Sequence, residues 1–359
     1  MKIAILGQIA GPIGGQSRLT EAFRQGAKAE TYFFEFWGHK KWYGLPMMAM
    51  QFVRAWLLVM TGRVDAAYIA ASRSNSGMLR DLLLLFPFVL GGVPIVAHVH
   101  GAEFDEFFLD NRSWGRTKDF YLRVVDRFIF VNEVFVPTVP GLAERSTFVR
   151  NPVPAFVTAA LAQDRQAELA KSSGGRRCFG FISTFAREKG IEHFLAAAEA
   201  FGDRADFVVA GGPSIEDESY GQAILAQIGT MPQVEYLGYL SNPIGFYERC
   251  DFMIFPTNFA SETSSLVVIE ALATRTHPIV RRHNRLVDIF GQAPISWFDS
   301  REELLEQCQR MLAMPTEEFD RACDEAVPWV LNYFPSQAQW TDRVQAVVER
   351  AVAGRPEHG

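Results

Sequence analysis

The sequence has little that would tie it to a metal, a disulfide framework or a nucleic acid. Its four cysteines form no CxxC pair and no cluster with metal-ligand spacing, so we expect scattered, reduced thiols and no metal site. No basic run is interleaved with aromatic residues, although nucleic-acid binding would favour that pattern. The first glycine-rich loop is not GxGxxG, which disfavours a nicotinamide-dependent oxidoreductase.

Uninterrupted apolar spans are also missing. "LPMMAMQFVRAWLLVM" (45–60) contains Arg54, and "LLLLFPFVLGGVPIVA" (82–97) contains two prolines and two glycines. Neither reaches the roughly 20 residues that a transmembrane helix needs. We predict a helix over the first stretch, and a helix end, a Gly-Gly stop and a buried strand at 94–99 in the second. The opening "MKIAILGQIAG" predicts a strand rather than a signal peptide, so we expect a cytoplasmic location.

The composition is that of a soluble globular chain, with 48% hydrophobic and 21% charged residues over 359 positions. This length favours two domains. Residues 1–150 hold 17 Lys and Arg against 13 Asp and Glu, a balance of +4, whereas the remainder holds 18 against 28, a balance of −10. The asymmetry is either chance or a first domain that meets an anionic partner, such as a membrane surface or a phosphorylated acceptor.

Short apolar runs alternate with helical patterns along the whole chain. Runs that are apolar on both faces are typical of parallel sheets covered by helices, and two such series predict two βαβ domains. The first series ends in "STFVRNPVP" (146–154), which predicts a strand and a Pro-rich break. The other predicted strands are 2–7, 66–71, 94–100 and 127–132 in the first series, and 178–183, 206–211, 234–238, 252–257 and 277–282 in the second.

Two carboxylates flank the start of a predicted helix in "FASETSSLVVIE" (259–270). Thr263, Ser264 and Ser265 are residues that cap helices, so Glu262 is expected in the loop that follows strand 252–257. Free amides at such a helix start suit a diphosphate. Eight residues at helical rise place Glu270 at most about 12 Å from Glu262, so each carboxylate could bind one sugar diol. The alternative is a capping carboxylate followed by a solvated helix glutamate.

Three further loops follow predicted strands. "ISTFAREKGIEHF" (182–194) places Arg187 and Lys189 where two cations could neutralise a departing diphosphate; the alternative is a solvated basic loop. "GQIAGPIGGQSR" (7–18) has four glycines, which allow close approach of a ligand to the backbone. "HVHGAEF" (98–104) places His100 at a strand end, where ligands of α/β sheets bind, although a lone histidine is more often structural.

Together, the E-x7-E segment, the KG loop, the glycine-rich first loop and the HG loop resemble the retaining GT-B glycosyltransferases of family 4. "VEYLGYLSNPIGFYERCDFMIFPT" (234–257) is similar to the segment that leads to the E-x7-E motif of that family, and "FVRNPVP" resembles its interdomain linker. The resemblance implies two Rossmann-like domains, 1–152 for the acceptor and 153–335 for the nucleotide-sugar, which face a cleft. It also implies that a final helix in 336–359 crosses back to the first domain.

The resemblance assigns roles to individual residues. Catalytic roles fall on Glu262 at the donor sugar, Lys189 and Arg187 at the diphosphate, and His100 facing the sugar. The donor-binding residues are Glu270 at the ribose, Gly14 and Gly15 against the phosphates, Tyr239 and Leu240 beside the nucleobase, and Gly212, with Thr263, Ser264 and Ser265 at the helix start.

The sequence departs from the family pattern at two places. The usual arginine, five positions before Lys189, is Thr184, so we predict that Arg187 supplies its charge. The glycine that follows the helix of the second glutamate is Arg275, with one extra residue before Pro278.

The resemblance implies metal-independent transfer of a sugar, with retention, from a UDP- or GDP-type donor to a hydroxyl of a glycan or lipid-linked acceptor. No cofactor is expected. A bacterial surface polysaccharide or lipopolysaccharide precursor would be the product. A nucleotide-sugar 2-epimerase and a non-catalytic nucleotide-sugar-binding homologue remain as alternatives, and Thr184 favours the second. Weak association with an anionic membrane is also predicted, through Lys40, Lys41, Trp42, Tyr43 and the helix after them; a core helix with a polar end is the alternative.

Overall fold

The computed structural model describes residues 1–8, 14–35, 44–110, 113–162, 175–215, 217–259 and 262–354. The chain divides into two compact units, one formed by Met1–Asn151 with Gln337–Gly359 and the other by Pro152–Ser336. Within the described residues, each unit holds a six-stranded sheet whose neighbouring strands are all parallel. No helix in these ranges is both long enough and apolar enough to span a membrane.

Strands and helices are numbered along the chain. In the first unit the strands are β1 Lys2–Gly7, β2 Glu30–Glu35, β3 Ala66–Ala70, β4 Ile95–Val99, β5 Arg127–Phe130 and β6 Ser146–Phe148. Its helices are α1 Gly15–Gly26, α2 Gly44–Met60, α3 Asn75–Leu90, α4 Gly115–Val124 and α13 Gln337–Ala353, with a π-helical turn at Glu106–Asp110.

In the second unit the strands are β7 Cys178–Phe185, β8 Asp206–Pro213, β9 Val234–Tyr236, β10 Phe252–Phe255, β11 His277–Arg281 and β12 Ser296–Phe298. Its helices are α5 Ala155–Ala162, α6 Ile191–Phe201, α7 Glu218–Ile228, α8 Ile244–Arg249, α9 Leu266–Ala273, α10 Asn284–Phe290, α11 Arg301–Ala313 and α12 Thr316–Tyr333.

The strand orders are β2-β1-β3-β4-β5-β6 and β12-β11-β10-β7-β8-β9. In the first sheet the chain leaves β1 toward β2 and returns to β3 on the other side of β1. In the second it leaves β7 toward β8 and β9, and returns to β10 on the other side of β7. Each sheet therefore has a topological switch point, the position at whose carboxyl edge ligands of open α/β sheets bind.

The central strands are buried on both faces, as their apolar sequences predicted. All residues of β3 and β4 are buried, and so are the last five residues of β1. The helix that ends in the second apolar stretch is α3, which stops at Leu90 before Gly91 and Gly92, and β4 follows. The strand and Pro-rich break predicted within 146–154 are confirmed, because β6 ends at Phe148 and the prolines at 152 and 154 provide no amide for a ladder.

Candidate functional site

The loop after β7 is fixed against the end of β10 by backbone contacts. It makes a 3₁₀ turn at Arg187–Lys189 and then passes through Gly190 with φ of 67°. A Cβ at Gly190 would lie 2.6 Å from the carbonyl oxygen of Pro256, and the Asn258 amide donates to the Glu188 carbonyl at 2.7 Å. The glycine of the KG loop is thus required both by its left-handed backbone and by this close approach.

This contact brings Lys189 and Glu262 together at the switch point of the second sheet. Lys189 Nζ lies 2.6 Å from Glu262 Oε2, and the two side chains are 20% and 16% exposed. The ammonium group also lies 4.5 Å from the ring centroid of Phe259. A partly buried, charge-assisted pair of this kind is stronger than an ordinary surface pair, and it joins residues that are 73 positions apart.

Helix α9 begins directly after Glu262, but its capping differs from the prediction. Ser265 occupies the N-cap position, yet its side chain makes no capping hydrogen bond. Thr263, Ser264 and Ser265 are each at most 5% exposed, so these three residues are buried at the start of the helix and are not a solvated cap. The first amides of any helix have no acceptor within the helix, and those of α9 point toward the edge that carries Glu262.

Glu270 is enclosed rather than solvated. Its residue surface is 0% exposed, and the buried Tyr247 hydroxyl donates to Glu270 Oε2 at 2.7 Å. The alternative of a solvated helix glutamate is therefore wrong. A ribose contact at Glu270 stays a prediction, and it would require the side chains that cover the carboxylate to move.

Arg187 lies beside α7 in this structure. Its guanidinium is 4.6 Å from the ring centroid of Tyr220, its Nε is 3.4 Å from Asp217 Oδ2, and its side chain is 70% exposed. Thr184 is half-buried in β7, in register with Gly212 of β8. The exposed arginine is accessible to a ligand, and its proposed part in charge neutralisation stays a prediction.

The neighbouring end of β8 contains a constraint that the sequence analysis missed. Gly211 has φ of 124°, and a Cβ there would lie 1.8 Å from the Ser183 carbonyl oxygen. At Gly212, in contrast, the nearest atom to an added Cβ would be Tyr236 Oη at 3.8 Å. Gly211 is thus needed for strand packing, whereas Gly212 leaves space above the sheet edge. The sequence Ala210-Gly211-Gly212 indicated that a glycine is needed here, but it did not show which of the two glycines strand packing requires.

The remaining predicted residues near this edge lie in the loop after β9. Gly238 has φ of 69° and accepts a hydrogen bond at its carbonyl from the Gly211 amide at 2.8 Å. Tyr239, which follows, is 50% exposed and Leu240 is half-buried. The structure therefore brings this loop to the end of β8, and a nucleobase contact there stays a prediction.

In the first unit, Gly14 and Gly15 lie at the start of α1, after β1 and the switch point. Gly14 is the N-cap residue, without a side-chain cap, and a Cβ on it would meet nothing within 4 Å. The first turn of α1 has no acidic residue, which leaves its positive dipole end available to an anion. The rest of the predicted glycine loop, 9–13, lies outside the described residues.

His100 follows β4 and is held in a ring stack. Its ring stacks on His98 with centroids 4.1 Å apart, and His98 in turn stacks on Trp340 of α13 at 6.0 Å. Tyr68 Oη lies 2.7 Å from His98 Nδ1. The Arg73 side chain covers Gly101, where a Cβ would come within 2.3 Å of it. Sequence reasoning missed His98, Arg73 and Trp340, which only the fold brings beside His100.

The electrostatics of this stack keep His100 neutral. Burial, and then the charge of Arg73, lowers the pKa of His100 to about 3. Burial also lowers the pKa of His98 well below its usual value. At neutral pH, His100 therefore offers one N–H donor and one nitrogen acceptor, and no positive charge.

No group of three or more His, Cys, Asp or Glu side chains within the described ranges could hold a metal ion. A cavity of the second unit lies at the opposite edge of the sheet, near the amino ends of β7 and β8, and its lining includes Arg177, Asp206 and Arg249. Arg177 pairs with Asp251, and Arg249 pairs with Glu235. These charges stabilise the fold and are separate from the switch-point residues.

Comparison with known proteins connects this geometry to a family. Residues 163–327 match the family model described as glycosyl transferases group 1. A search of curated proteins gave no match.

Solved structures resemble the chain over nearly its full length. Anabaena HepE in complex with UDP and glucose is 14% identical, with a TM-score of 0.71, over 97% of this chain and 99% of that one. Sucrose-phosphate synthase from Thermosynechococcus elongatus is 14% identical, with a TM-score of 0.70, over 99% and 100%. A trehalose-phosphate synthase (UDP-forming) from Burkholderia vietnamiensis is 13% identical, with a TM-score of 0.66, over 99% and 98%. At these identities the likeness establishes the GT-B fold.

Proposed function

From the match of residues 163–327 to the family model of glycosyl transferases group 1 and from the GT-B fold, we propose that the protein is a retaining glycosyltransferase. It moves a sugar from a nucleotide diphosphate sugar to a hydroxyl of a glycan or lipid-linked acceptor. The observation that carries the proposal is the Lys189–Glu262 pair, with Nζ and Oε2 2.6 Å apart, at the carboxyl edge of the switch point. One cation and one carboxylate thus lie at the edge where ligands of open α/β sheets bind, which supports a sugar diphosphate as the ligand.

The opposite charges of Lys189 and Glu262 suit them to different roles in the reaction. Lys189 neutralises the leaving diphosphate, whose charge grows in the transition state. Glu262 accepts hydrogen bonds from sugar hydroxyls, since an ionised carboxylate is an acceptor only. Lys189 and Glu262 satisfy each other in this structure, so neither charge at the partly buried site is left uncompensated. The amides at the start of α9 add donors for the phosphate oxygens.

The chemical step needs no protein nucleophile. The bond between the anomeric carbon and the diphosphate oxygen breaks, and a bond from that carbon to the acceptor oxygen forms on the same face. The acceptor proton passes to the leaving diphosphate oxygen. Neutral His100, in the first unit, is proposed to orient the donor sugar by hydrogen bonding, and Gly14 and Gly15 are proposed to lie against the phosphates.

The donor is proposed to be UDP-type first, with GDP-type as the alternative. Support comes from structures of the same fold, which include HepE with UDP, UDP-glucose, or UDP and glucose. We also propose metal-independent transfer, a product in bacterial surface polysaccharide or lipopolysaccharide synthesis, and a cytoplasmic protein that associates weakly with the inner face of the membrane. The resemblance supports these finer assignments.

A thermal-shift screen against UDP, GDP, ADP, CMP and dTDP tests the binding part of the proposal. A ligand at 100 times its dissociation constant stabilises a protein by about 2.7 kcal/mol, so one nucleotide should raise the melting temperature clearly and Lys189→Ala should reduce the shift. Addition of EDTA should leave the shift unchanged. A screen in which no nucleoside diphosphate stabilises the wild-type protein contradicts the proposal, and binding without any donor hydrolysis favours the non-catalytic homologue.

A further inference from the structure

Helix α2 of the first unit carries large apolar side chains on its outward face. Met50, Val53, Leu57 and Met60 are between 56% and 69% exposed. Their spacing of three, four and three residues places them in one stripe along the helix. The opposite face of the helix is also apolar, since Ala55 is buried in the core. Helix α2 is therefore apolar on its inner and outer faces alike.

Helix α3 has the same property. Leu79, Leu83, Phe86 and Leu90 are between 39% and 58% exposed, with a spacing of four, three and four residues. The inward face of the helix is buried in the core through Met78, Leu85 and Phe88, among others. A helix that is apolar all round belongs either in a protein interior or against a membrane.

The two stripes lie side by side. Helices α2 and α3 pack against each other, and a Cβ on Gly91, the C-cap of α3, would come within 2.1 Å of the Val59 side chain in the last turn of α2. Each stripe is about 15 Å long at helical rise. Exposed apolar patches of this extent mark interaction sites in soluble proteins. We call the surface formed by Met50, Val53, Leu57, Met60, Leu79, Leu83, Phe86 and Leu90 the α2–α3 face.

The exposed charges of α2, α3 and the loops 61–65 and 71–74 are mainly basic, with Asp65 as an exposed carboxylate in the first of these loops. Asp81 is the one carboxylate within the two helices, and it is fully buried, where the Ser72 amide and Arg80 donate to it. Arg54 of α2 is exposed, and so are Arg63 and Arg73 in the flanking loops. An apolar centre with a basic rim and without exposed carboxylates on either helix fits an anionic, apolar partner.

The charges around the α2–α3 face favour one of two possible partners, a second copy of the chain or a lipid bilayer. A second copy bound across a two-fold axis would bury the basic side chains of both copies in one interface, with no exposed carboxylate on either helix to pair with them. A bilayer that contains anionic lipids would accept the apolar side chains below its headgroups and pair the arginines with phosphates. We propose that the α2–α3 face docks the first unit on an anionic lipid surface. The sequence analysis predicted docking through residues 40–43 and the helix after them, which is α2. Residues 40–43 lie outside the described residues, and the structure adds α3 to the proposed surface.

Under the proposed function, docking on a membrane would bring a lipid-linked acceptor close to the first unit. Helix α3 starts at Asn75, shortly after the carboxyl end of β3, the edge at which Arg73 and His100 lie. A lipid-linked acceptor could then present its head group at this edge while its chains stay in the bilayer. The docking itself is independent of the chemistry, because it requires only the α2–α3 face and its basic rim.

The test is flotation of the full chain with phosphatidylcholine vesicles that either contain or lack 30% phosphatidylglycerol, a composition chosen to supply negative charge. Wild-type protein should float with the anionic vesicles and much less with the neutral ones. Leu57→Glu with Leu83→Glu should reduce the bound fraction at least about tenfold, because buried apolar area is replaced by charge. The matched control Val139→Glu, at a residue of the same unit that is 45% exposed, should float like wild type.

A milder variant and a second measurement complete the test. Arg63→Glu should weaken anionic binding about fivefold or more, and added salt should weaken wild-type binding. Equal flotation of wild-type protein and the Leu57→Glu, Leu83→Glu variant would overturn the proposal. So would a wild-type dimer, seen by light scattering, that this variant converts to a monomer without any change in flotation. Turnover of a water-soluble acceptor should be the same for all these variants, which separates failed docking from failed catalysis.

Discussion

Lys189 is the residue whose replacement should affect turnover most clearly. Its ammonium group pairs with Glu262 at 2.6 Å and is proposed to meet the leaving diphosphate. Removing one such transition-state donor typically lowers kcat by on the order of 10²–10³-fold. We expect Lys189→Ala to lose about that much in kcat with a smaller change in KM, measured by nucleoside diphosphate release.

Arg249→Ala is the matched control for Lys189→Ala, because it also removes a cation paired with a glutamate of the second unit. It should keep nearly full activity, since Arg249 lies near the opposite edge of the sheet. Retention of more than half of wild-type kcat by Lys189→Ala, with chemistry rate-limiting, would remove Lys189 from the mechanism.

Arg187 tests whether a displaced cation replaces the missing arginine. Its exposed guanidinium now lies near Tyr220 and Asp217, and it would have to turn from them toward a bound diphosphate. If it does so, Arg187→Ala should also lose on the order of 10²–10³-fold in kcat, and Thr184→Ala should be nearly silent. A nearly unchanged kcat for Arg187→Ala would identify this arginine as a surface residue and leave Lys189 and the α9 amides to neutralise the charge.

At the scale of elements, β8 offers a matched pair of glycines. Gly211→Ala places a Cβ 1.8 Å from the Ser183 carbonyl oxygen in an unfavourable backbone conformation, so it should cost more than about 2 kcal/mol of unfolding free energy. Gly212→Ala meets open space and should change stability by less than about 1 kcal/mol. It should nevertheless weaken nucleotide binding if a phosphate or ribose approaches Gly212.

Urea unfolding and the nucleotide-induced thermal shift measure the two effects of the glycine substitutions. Equal destabilisation by both variants would contradict the different roles that the structure gives them. An unchanged nucleotide affinity in Gly212→Ala would remove Gly212 from the donor site.

The sequence predicted the central strands and two of the four edge strands, β6 and β9. Strands buried on both faces, such as β3 and β4, show as continuous apolar runs. The sequence analysis missed β2 and β12, which are edge strands of their sheets and mix exposed, half-buried and buried positions. Their partner on one side is solvent, so their sequences carry less of the apolar signal that revealed the others.

The site followed the same rule. Motifs at strand ends predicted that Lys189 and Glu262 lie at one edge of the sheet, and the structure brings the two side chains together there, because the edge of a parallel sheet collects successive loops. Their roles stay predictions. The burial of Glu270 under Tyr247, and the stack of His98 and Trp340 on His100, depend on residues far apart in sequence. Arg275 shows a further limit, because this non-glycine residue has φ of 58° and forms ion pairs with Asp320 and Asp324 of α12. These pairs explain how an arginine is tolerated where the family pattern has glycine.

At the scale of the whole molecule, buried histidines should make stability depend on pH. Burial lowers the pKa of His277 to about 4 and that of His98 well below 6.5, whereas an unfolded histidine titrates near 6.5. Between these values the unfolded chain binds protons that the folded chain does not, so stability should fall as the pH drops from about 7 toward 4. At pH 5 the cost is about 2 kcal/mol for His277.

Urea unfolding at pH 7 and pH 5 measures this effect. The variant His277→Gln keeps a polar side chain near Ser296, which lies 2.9 Å from His277 Nε2, and cannot take up a proton in this range. It should lose about 2 kcal/mol less than wild type on acidification. An equal loss of stability in both proteins would mean that folding does not lower the pKa of His277.

The central claim is that the protein transfers a sugar with retention from the site around Lys189 and Glu262. The most direct measurement is proton NMR of the first product released from an α-linked nucleotide diphosphate sugar, chosen by the thermal-shift screen, with water or a hydroxyl acceptor present. The anomeric signal should appear first in the α configuration, ahead of mutarotation, and should disappear in Lys189→Ala. A first product in the β configuration, or an α product that Lys189→Ala still forms at the wild-type rate, would contradict the account.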